Sequence, residues 1–439
     1  MLFVNSPNRG ETLTVQAQGT QARSICCVAY SPMDNLPKEV TLDILSRLPV
    51  ESVLDCKLVC KAWRDSLQFR ADNFFADLHL QSQHGLQLMQ PQEQHKQFLG
   101  HESIHDFPNA EPMSFFGVDR HAFYYAEYHT GGEIIDEKQP NYQAKRMNLK
   151  FPDAVHGFVG SCNGLICLSV NSKYKNIVYG YDGDQIGYKY SDEPSYVCNP
   201  ITREYVNLPR VSIDEKKSKH GVYIVRGFGY YRPTNEYKVV RITYFGNTNY
   251  PPYKGKVEVY TLGSDSGWRS AGEVNYLLLS SFYSPSVCVD GALHWFQKGL
   301  SKIVVFDLGV EEFYLYPSPA GITGKAKLCV IKGFLCVLDI CLCPDLWFLE
   351  KNEKTGSWRI VFSTQCIDNT TNILTITERD EIILGSLGKV ILYNLKTRTS
   401  TVFADEKWIG RSWWLPHSHF NSFVSLNALG ESSVMTFLD

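Results

Sequence analysis

Apolar side chains recur along this chain with two different periods, and the change between them divides it. Over residues 36–67, LPKEVTLDILSRLPVESVLDCKLVCKAWRDSL, the positions Val40, Ile44, Leu45 and Leu48 have the spacing of one face of a helix. Pro37 suits a first helical turn, where its missing N–H costs nothing, and Pro49 takes Leu48 out of helical geometry and ends that helix. Leu54, Leu58 and Ala62 then form one stripe and Val59, Trp63 and Leu67 the next, with Asp55, Lys57, Lys61, Arg64 and Asp65 mostly elsewhere. Two or three short helices are predicted. A segment below about 40 residues rarely sustains its own core, so these apolar positions must be covered by the rest of the chain or by a partner.

From about residue 151 the texture becomes short apolar, aromatic and β-branched runs separated by Gly, Pro, Asn and Asp: GLICLSV, YVCNP, EYKVVRITYF, KVEVYTL, SKIVVFDL, FLCVLDI, EIILGSL and KVILYNL. This predicts an all-β domain over 151–435. The runs echo one another. Val197-Cys198-Asn199, Val305-Phe306-Asp307 and Leu392-Tyr393-Asn394 each precede a turn, while Gly267-Trp268-Arg269 and Ser357-Trp358-Arg359 read as hairpin tips. The two echoes alternate with an uneven mean step of about 49 residues, close to the ~40–50 of a propeller blade. At about 45 residues a blade, some six would fit and close a ring without exposed strand edges; a two-sheet β-sandwich is the alternative. Residues 1–33 lack either period and read as a disordered leader with an unexplained Cys26-Cys27 pair. Residues 81–150 read as linker or as the start of the β domain, with HAFYYAEYH at 121–129 strand-like.

Charge narrows the partners. With 43 basic and 46 acidic residues the formal net charge is -3, which gives no electrostatic case for nucleic acid or an anionic membrane. The best apolar run, 329–343, carries Lys332 and Asp339 and falls short of a membrane span. Thirteen cysteines, an odd number without a compact framework, suggest reduced thiols in the cytoplasm or nucleus. The expected partner is protein.

No chemical constellation survives inspection. Cys162 and Cys167, Cys341 and Cys343, and His417 and His419 lack the further ligands of a metal site, so no metal or cofactor is expected. Gly227-x-Gly229 lacks a third glycine, no Walker lysine follows a glycine run, and there is no nucleophile elbow or zincin pair. Nothing argues for catalysis.

Two families are resembled. Leu36-Pro37, Glu39-Val40, Ile44-Leu45, Leu48-Pro49, Val53-Leu54, Cys60-Lys61, Trp63 and Leu67 resemble an F-box. The β region resembles the F-box-associated domain common in plant F-box proteins. That likeness runs through Gly160-Ser161-Cys162-Asn163-Gly164-Leu165-Ile166-Cys167, Cys198-Asn199-Pro200-Ile201-Thr202, Gly227-Phe228-Gly229-Tyr230, Asn235-Glu236-Tyr237-Lys238-Val239-Val240, Gly291-Ala292-Leu293-His294-Trp295 and Leu346-Trp347. The first resemblance implies a three-helix module over 34–80 that binds a Skp-type adaptor and, through it, a cullin and a RING subunit. By carry-over, Leu36, Pro37, Val40, Ile44, Leu48, Pro49, Val53 and Leu54 would contact the adaptor, while Val59, Trp63 and Leu67 would contact it or form the module's own core.

Together the resemblances imply a non-catalytic substrate receptor of an SCF-type ubiquitin ligase, with the β domain recruiting a protein target. The alternatives are an F-box scaffold acting with the adaptor outside a ligase, and an enzyme with a pocket in the propeller mouth. Polarity and turn content single out loops at 182–195, 213–221 and 247–255 as substrate contacts, with Tyr250 and Tyr253 as an aromatic tip.

Overall fold

The computed structural model describes residues 36–59, 61–67, 73–83, 113–119, 122–128, 142–147 and most of 149–437. Residues 1–33 and Tyr250 lie outside the described residues, as do 84–112 and the loop 213–220. Four helices lead: α1 (Lys38–Ser46), α2 (Val50–Val59), α3 (Lys61–Ser66) and α4 (Phe74–Gln83). Pro37 is the N-cap of α1, its carbonyl accepting from Thr41 N at 3.1 Å, and Arg47 caps the other end shortly before Pro49. The fourth helix has no counterpart in the sequence reading.

The rest of the described chain is mostly strand. It forms six antiparallel sheets among the described residues. The first contains β1–β3 (Met113–Asp119, Ala122–Tyr128, Tyr142–Met147). The next four strands are β4–β7 (Val155–Cys162, Leu165–Tyr179, Gln185–Asn199, Glu204–Asn207), followed by β8–β11 (Val222–Tyr231, Glu236–Phe245, Gly255–Thr261, Trp268–Val274). Then come β12–β15 (Val287–Val289, Ala292–Phe296, Lys302–Asp307, Phe313–Pro317) and β16–β19 (Ala326–Ile331, Phe334–Asp339, Asp345–Lys351, Gly356–Ser363). The last set is β20–β23 (Asn372–Ile376, Glu381–Ser386, Lys389–Asn394, Thr399–Ala404), with β24 (Pro416–His419) and β25 (Met435–Thr436) closing the chain.

The first strands β4, β8, β12, β16, β20 and β24 contact one another in succession, and β4 touches β1 and β24 in turn. The sheets are therefore blades around a common axis rather than the two stacked layers of a sandwich. Closure uses both ends of the chain: β24 lies beside β1, Ser114↔His419 through Gly117↔Pro416, and β25 extends the β4–β7 blade through Met435↔Tyr205. Much of the core lies between blades, as where Val225, Val240 and Ile242 meet Leu293, Trp295 and Val304.

The two sequence echoes mark one hairpin per blade, between its third and fourth strands. In three blades the acidic or amide side chain bonds its own turn. Asn199 Oδ1 accepts from Ile201 N at 2.9 Å, Asp307 Oδ1 from Gly309 N at 2.7 Å, and Asn394 Oδ1 from Lys396 N and Thr397 N at 3.0 Å. Four residues after each, Arg203, Glu311 and Arg398 adopt φ of 61°, 61° and 55°. In the intervening blades Trp268 and Trp358 donate their indole N–H to Pro209 O and Pro317 O, each at 2.8 Å, tying the fourth strand to the chain leaving the preceding blade. The alternation is thus two solutions to one hairpin.

Candidate functional site

The helical unit divides its apolar side chains between two sides. Leu42, Leu45, Val50, Val53, Leu67, Phe75, Ala76 and Leu80 are buried, in a cluster that continues into Val159, Leu165, Phe228 and Phe423 of the propeller. Trp63, Leu48 and Leu54 pack against its margin. The other side stays open. Leu36, Val40 and Ile44 stand one helical turn apart and are exposed, as are Pro37 and Pro49. Leu58 at 76% and Val59 at 64% exposure add apolar surface at the end of α2, and Phe74 at 63% does so at the start of α4. Leaving side chains of this kind in water forgoes about 1.5–3 kcal/mol each, which marks them as a surface with a use.

Charged side chains flank that surface, Lys38, Glu39 and Arg47 standing exposed on and beside α1. The exposed Arg47 Nη2 bonds both carboxylate oxygens of Asp43, at 3.0 and 3.1 Å, along the same helix. Cys56 sits half-buried on α2, where burial, and to a lesser degree Asp55, pushes its thiol up and keeps it protonated. It is filler rather than nucleophile.

Helix α4 holds this unit on the propeller. Its C-terminal side chains satisfy the carbonyls that α1 leaves over: Gln83 Nε2 donates to Ser46 O at 3.2 Å and Leu48 O at 3.1 Å, and His79 Nε2 lies 3.0 Å from Leu48 O. Its apolar side meets Phe423, with ring centroids 5.8 Å away for Phe75 and 5.1 Å for His79. Asn73, just ahead of the helix, donates to Ser425 O at 3.4 Å and accepts from Ser425 N at 2.9 Å.

The segment that receives α4 is itself clamped. Asn199 Nδ2 donates to Ser422 O at 3.0 Å and Val424 O at 2.8 Å, and the buried Glu204 accepts from Leu426 N at 2.8 Å and Ser425 Oγ at 3.0 Å. Ser422 Oγ donates to Asn163 O at 2.6 Å. Gly164, at φ 84°, has no room for a side chain there: a Cβ would stand 2.0 Å from Ser422 Oγ. The helices therefore rest on the knot where the ring closes.

Residues 33–68 match the F-box-like family, and residues 123–424 match a family described as the F-box associated beta propeller domain. This chain belongs to the F-box-associated β-propeller family. F-box protein At3g07870 of Arabidopsis thaliana is 28% identical over 356 residues, which span 74% of this chain and 72% of that one. F-box protein CPR1 from the same plant is 31% identical over 221 residues, 43% of this chain and 52% of its own. F-box/kelch-repeat protein At3g23880, also of Arabidopsis thaliana, is 23% identical over 380 residues, covering 83% and 89%.

The F-box-associated motifs are structural. Gly227 and Gly229 lie where the next blade presses on β8: a Cβ on Gly227 would stand 2.7 Å from Leu293 and Trp295, and one on Gly229 would stand 2.6 Å from Cys288 Sγ. Asn235 and Asp290 turn their hairpins at φ 55° and 51°. Lys238, buried, donates to Leu308 O at 2.7 Å and pairs with Glu311, which also takes Arg269. Those two cations hold the Glu311 carboxyl below its ordinary value against the opposing effect of burial. His417 and His419 lie on the innermost strand β24, the first stacked 4.0 Å from Phe158 and the second 2.8 Å from Ser161 Oγ. Burial pushes both imidazoles down to about 3, with Lys327 adding to the effect at His417. Among the described residues no group of three or more His, Cys, Asp and Glu stands where it could hold a metal ion, and no helix is long and apolar enough to cross a membrane.

Several sequence expectations need correction. Val53, an expected adaptor contact, is 0% exposed, inside the cluster it shares with Leu45, Leu67 and Phe75. Leu45 shares the predicted stripe with Val40 and Ile44 yet is buried while they are exposed. Of the residues left open between adaptor contact and core, Val59 is exposed and Leu67 is buried, which is no departure from either reading. Tyr253 is half-buried against the β8–β15 cluster, with Lys298 Nζ 5.9 Å from its ring, rather than a free tip. Residues 185–195, expected as loop, belong to β6. Sequence reasoning missed α4, although Phe75, Ala76, His79 and Leu80 carry helical spacing.

Proposed function

We propose that this chain is the substrate-receptor subunit of an SCF-type ubiquitin ligase. The exposed side of the F-box, Leu36, Pro37, Val40, Ile44 and Pro49 with the margins of Leu48 and Leu54, binds a Skp-type adaptor. Through it come a cullin and a RING subunit, and the propeller recruits the protein to be modified. The observation that carries this reading is the division of the F-box: one side is bonded to the propeller through α4, and the other is left apolar and exposed. A chain of this kind contributes no bond-making group. It raises the concentration of target lysines near the conjugating enzyme, for which tethering supplies about millimolar effective concentrations.

Reconstitution tests it. The purified chain mixed with adaptor, cullin and RING subunit is expected to elute as one assembly. Val40→Glu with Ile44→Glu is expected to weaken adaptor binding by ~2 kcal/mol or more, as loss of a central interface anchor does, without lowering the melting temperature of the propeller. Unchanged adaptor affinity would overturn the assignment, and capture of adaptor without cullin would favour a scaffold outside a ligase.

A further inference from the structure

Cys329 of β16 and Cys336 of β17 stand directly opposite each other, in the register that runs from Ala326↔Asp339 to Ile331↔Phe334. Residues opposed in this way project from the same side of a sheet, with Cα atoms about 4.5–5.5 Å apart. A disulfide spans about 4.4–6.8 Å between Cα atoms, so the hairpin already holds two thiols where one can form. Among the described residues this is the one cysteine pair that strand register sets face to face.

The two thiols differ in their surroundings. Cys336 is fully buried and donates to Phe334 O at 3.3 Å, inside the cluster where Ile331 and Leu338 meet Ile373, Ile382 and Leu384 of the next blade. Burial, and after it the hydrogen bond with Cys329, pushes this thiol well up and keeps it protonated. Cys329 lies at the margin of the same cluster and is half-exposed. Lys327 projects from the same side of β16 one pleat away, its ammonium fixed on Thr371 O at 3.0 Å and Asn372 Oδ1 at 3.2 Å. Partly open to solvent and close to a fixed cation, Cys329 is the thiol that an oxidant meets first. One accessible sulfur beside one sheltered sulfur is the arrangement of a nucleophile and its resolving partner.

We propose that Cys329 and Cys336 form an oxidation site for hydroperoxides, in which Cys329 takes the oxygen and Cys336 displaces it to leave a disulfide. With hydrogen peroxide, the Cys329 sulfur gives an electron pair to one peroxide oxygen and the O–O bond breaks. The other oxygen leaves as water with the thiol proton, and Cys329 becomes a sulfenic acid. The Cys336 sulfur then bonds to the Cys329 sulfur, the S–O bond breaks, and the departing hydroxide takes the Cys336 proton as a second water. Two thiols thus lose two electrons and two protons, and one peroxide gains them. The bond pins a hairpin whose other side packs Leu328, Leu335 and Val337 against Ile303 and Val305 of the preceding blade, so the change reaches both seams. This chemistry needs neither the adaptor nor a target.

The test treats the reduced full chain with hydrogen peroxide, alkylates it in denaturant and maps its tryptic peptides by mass spectrometry. Cleavage after Lys327 and Lys332 places Cys329 in 328–332 and Cys336 in 333–351, so the bond is expected as a cross-linked pair that dithiothreitol separates. Fragment ions are expected to assign it to Cys336 rather than to Cys341 or Cys343 of the same peptide. Cys56, whose thiol burial keeps protonated, is expected to stay open to alkylation while the bond accumulates. Cys336→Ser is expected to hold Cys329 at the sulfenic acid, trapped by dimedone, and Cys329→Ser to leave Cys336 a free thiol. The wild-type map keeps its reading should either variant fail to fold. Recovery of both cysteines as alkylated thiols, a bond from Cys329 to Cys341 or Cys343, or oxidation of Cys56 at an equal rate would overturn the proposal.

Discussion

Trp295 is 1% exposed, donates its indole N–H to Arg226 O at 3.0 Å, and lies over Gly227, so that one ring fills the space between two blades. Trp295→Ala is expected to destabilise the propeller by about 3–5 kcal/mol, read as a shift in the urea midpoint at constant slope. A loss under about 1 kcal/mol would mean the blades repack around the gap. Ile44, with comparable hydrophobicity, is expected to behave in the opposite manner: its truncation spares stability and weakens the adaptor. What separates them is burial by distant chain, and the motif GALHW does show that Trp295 belongs to a strand, though not which ring of neighbours encloses it.

Helix α4 shows what an element adds. It spends its apolar side on Phe423 and its polar end on the carbonyls of α1, and so makes the F-box continuous with the propeller core. Phe75→Ala is expected to cost about 3 kcal/mol, and hydrogen exchange should show the loss concentrated in α1–α4 and the 422–426 segment, with the β16–β23 blades unchanged. Uniform loss of protection would mean that helices and propeller unfold as one unit. The helix pattern at 36–67 was legible, as were the strand runs and one hairpin echo per blade from β7 to β23. Of the closing blade only the β2 run, strand-like at 121–129, was legible, because its strands come from 113–147 and 416–419, and no local period reports a pairing between them.

At the scale of the molecule, the ring is expected to lose stability in acid. His417 and His419 titrate near 6.5 when unfolded and near 3 in the folded chain, so between those values the unfolded state binds more protons. Their contribution is complete at neutral pH and is lost as pH falls from 6.5 towards 3, a matter of a few kcal/mol for each. Glu236, lowered by the Thr234 hydroxyl and by Lys238, and Glu258 and Glu311, lowered by their cation partners, add loss at the acid end of that range, while burial raises Glu431 and gives it the opposite slope. The melting temperature is expected to drop steeply below about pH 6 and the drop to be shallower in His417→Leu with His419→Leu. An equal slope in that variant would place the acid sensitivity elsewhere.

The sequence by itself determined the two periods, the short helices bounded by Pro37 and Pro49, the repeated hairpins, and membership of two recognisable modules, because each of these depends on residues close together in the chain. Tertiary structure alone decided which apolar residues of the F-box face water, that Val53 is core, that α4 binds the knot at 422–426, and that β5 and β6 run on past their blade. Each of those outcomes depends on what lies against a residue hundreds of positions away, as Ser425 lies against Asn73, or on where a neighbouring strand ends. Spacing along one segment carries no record of either.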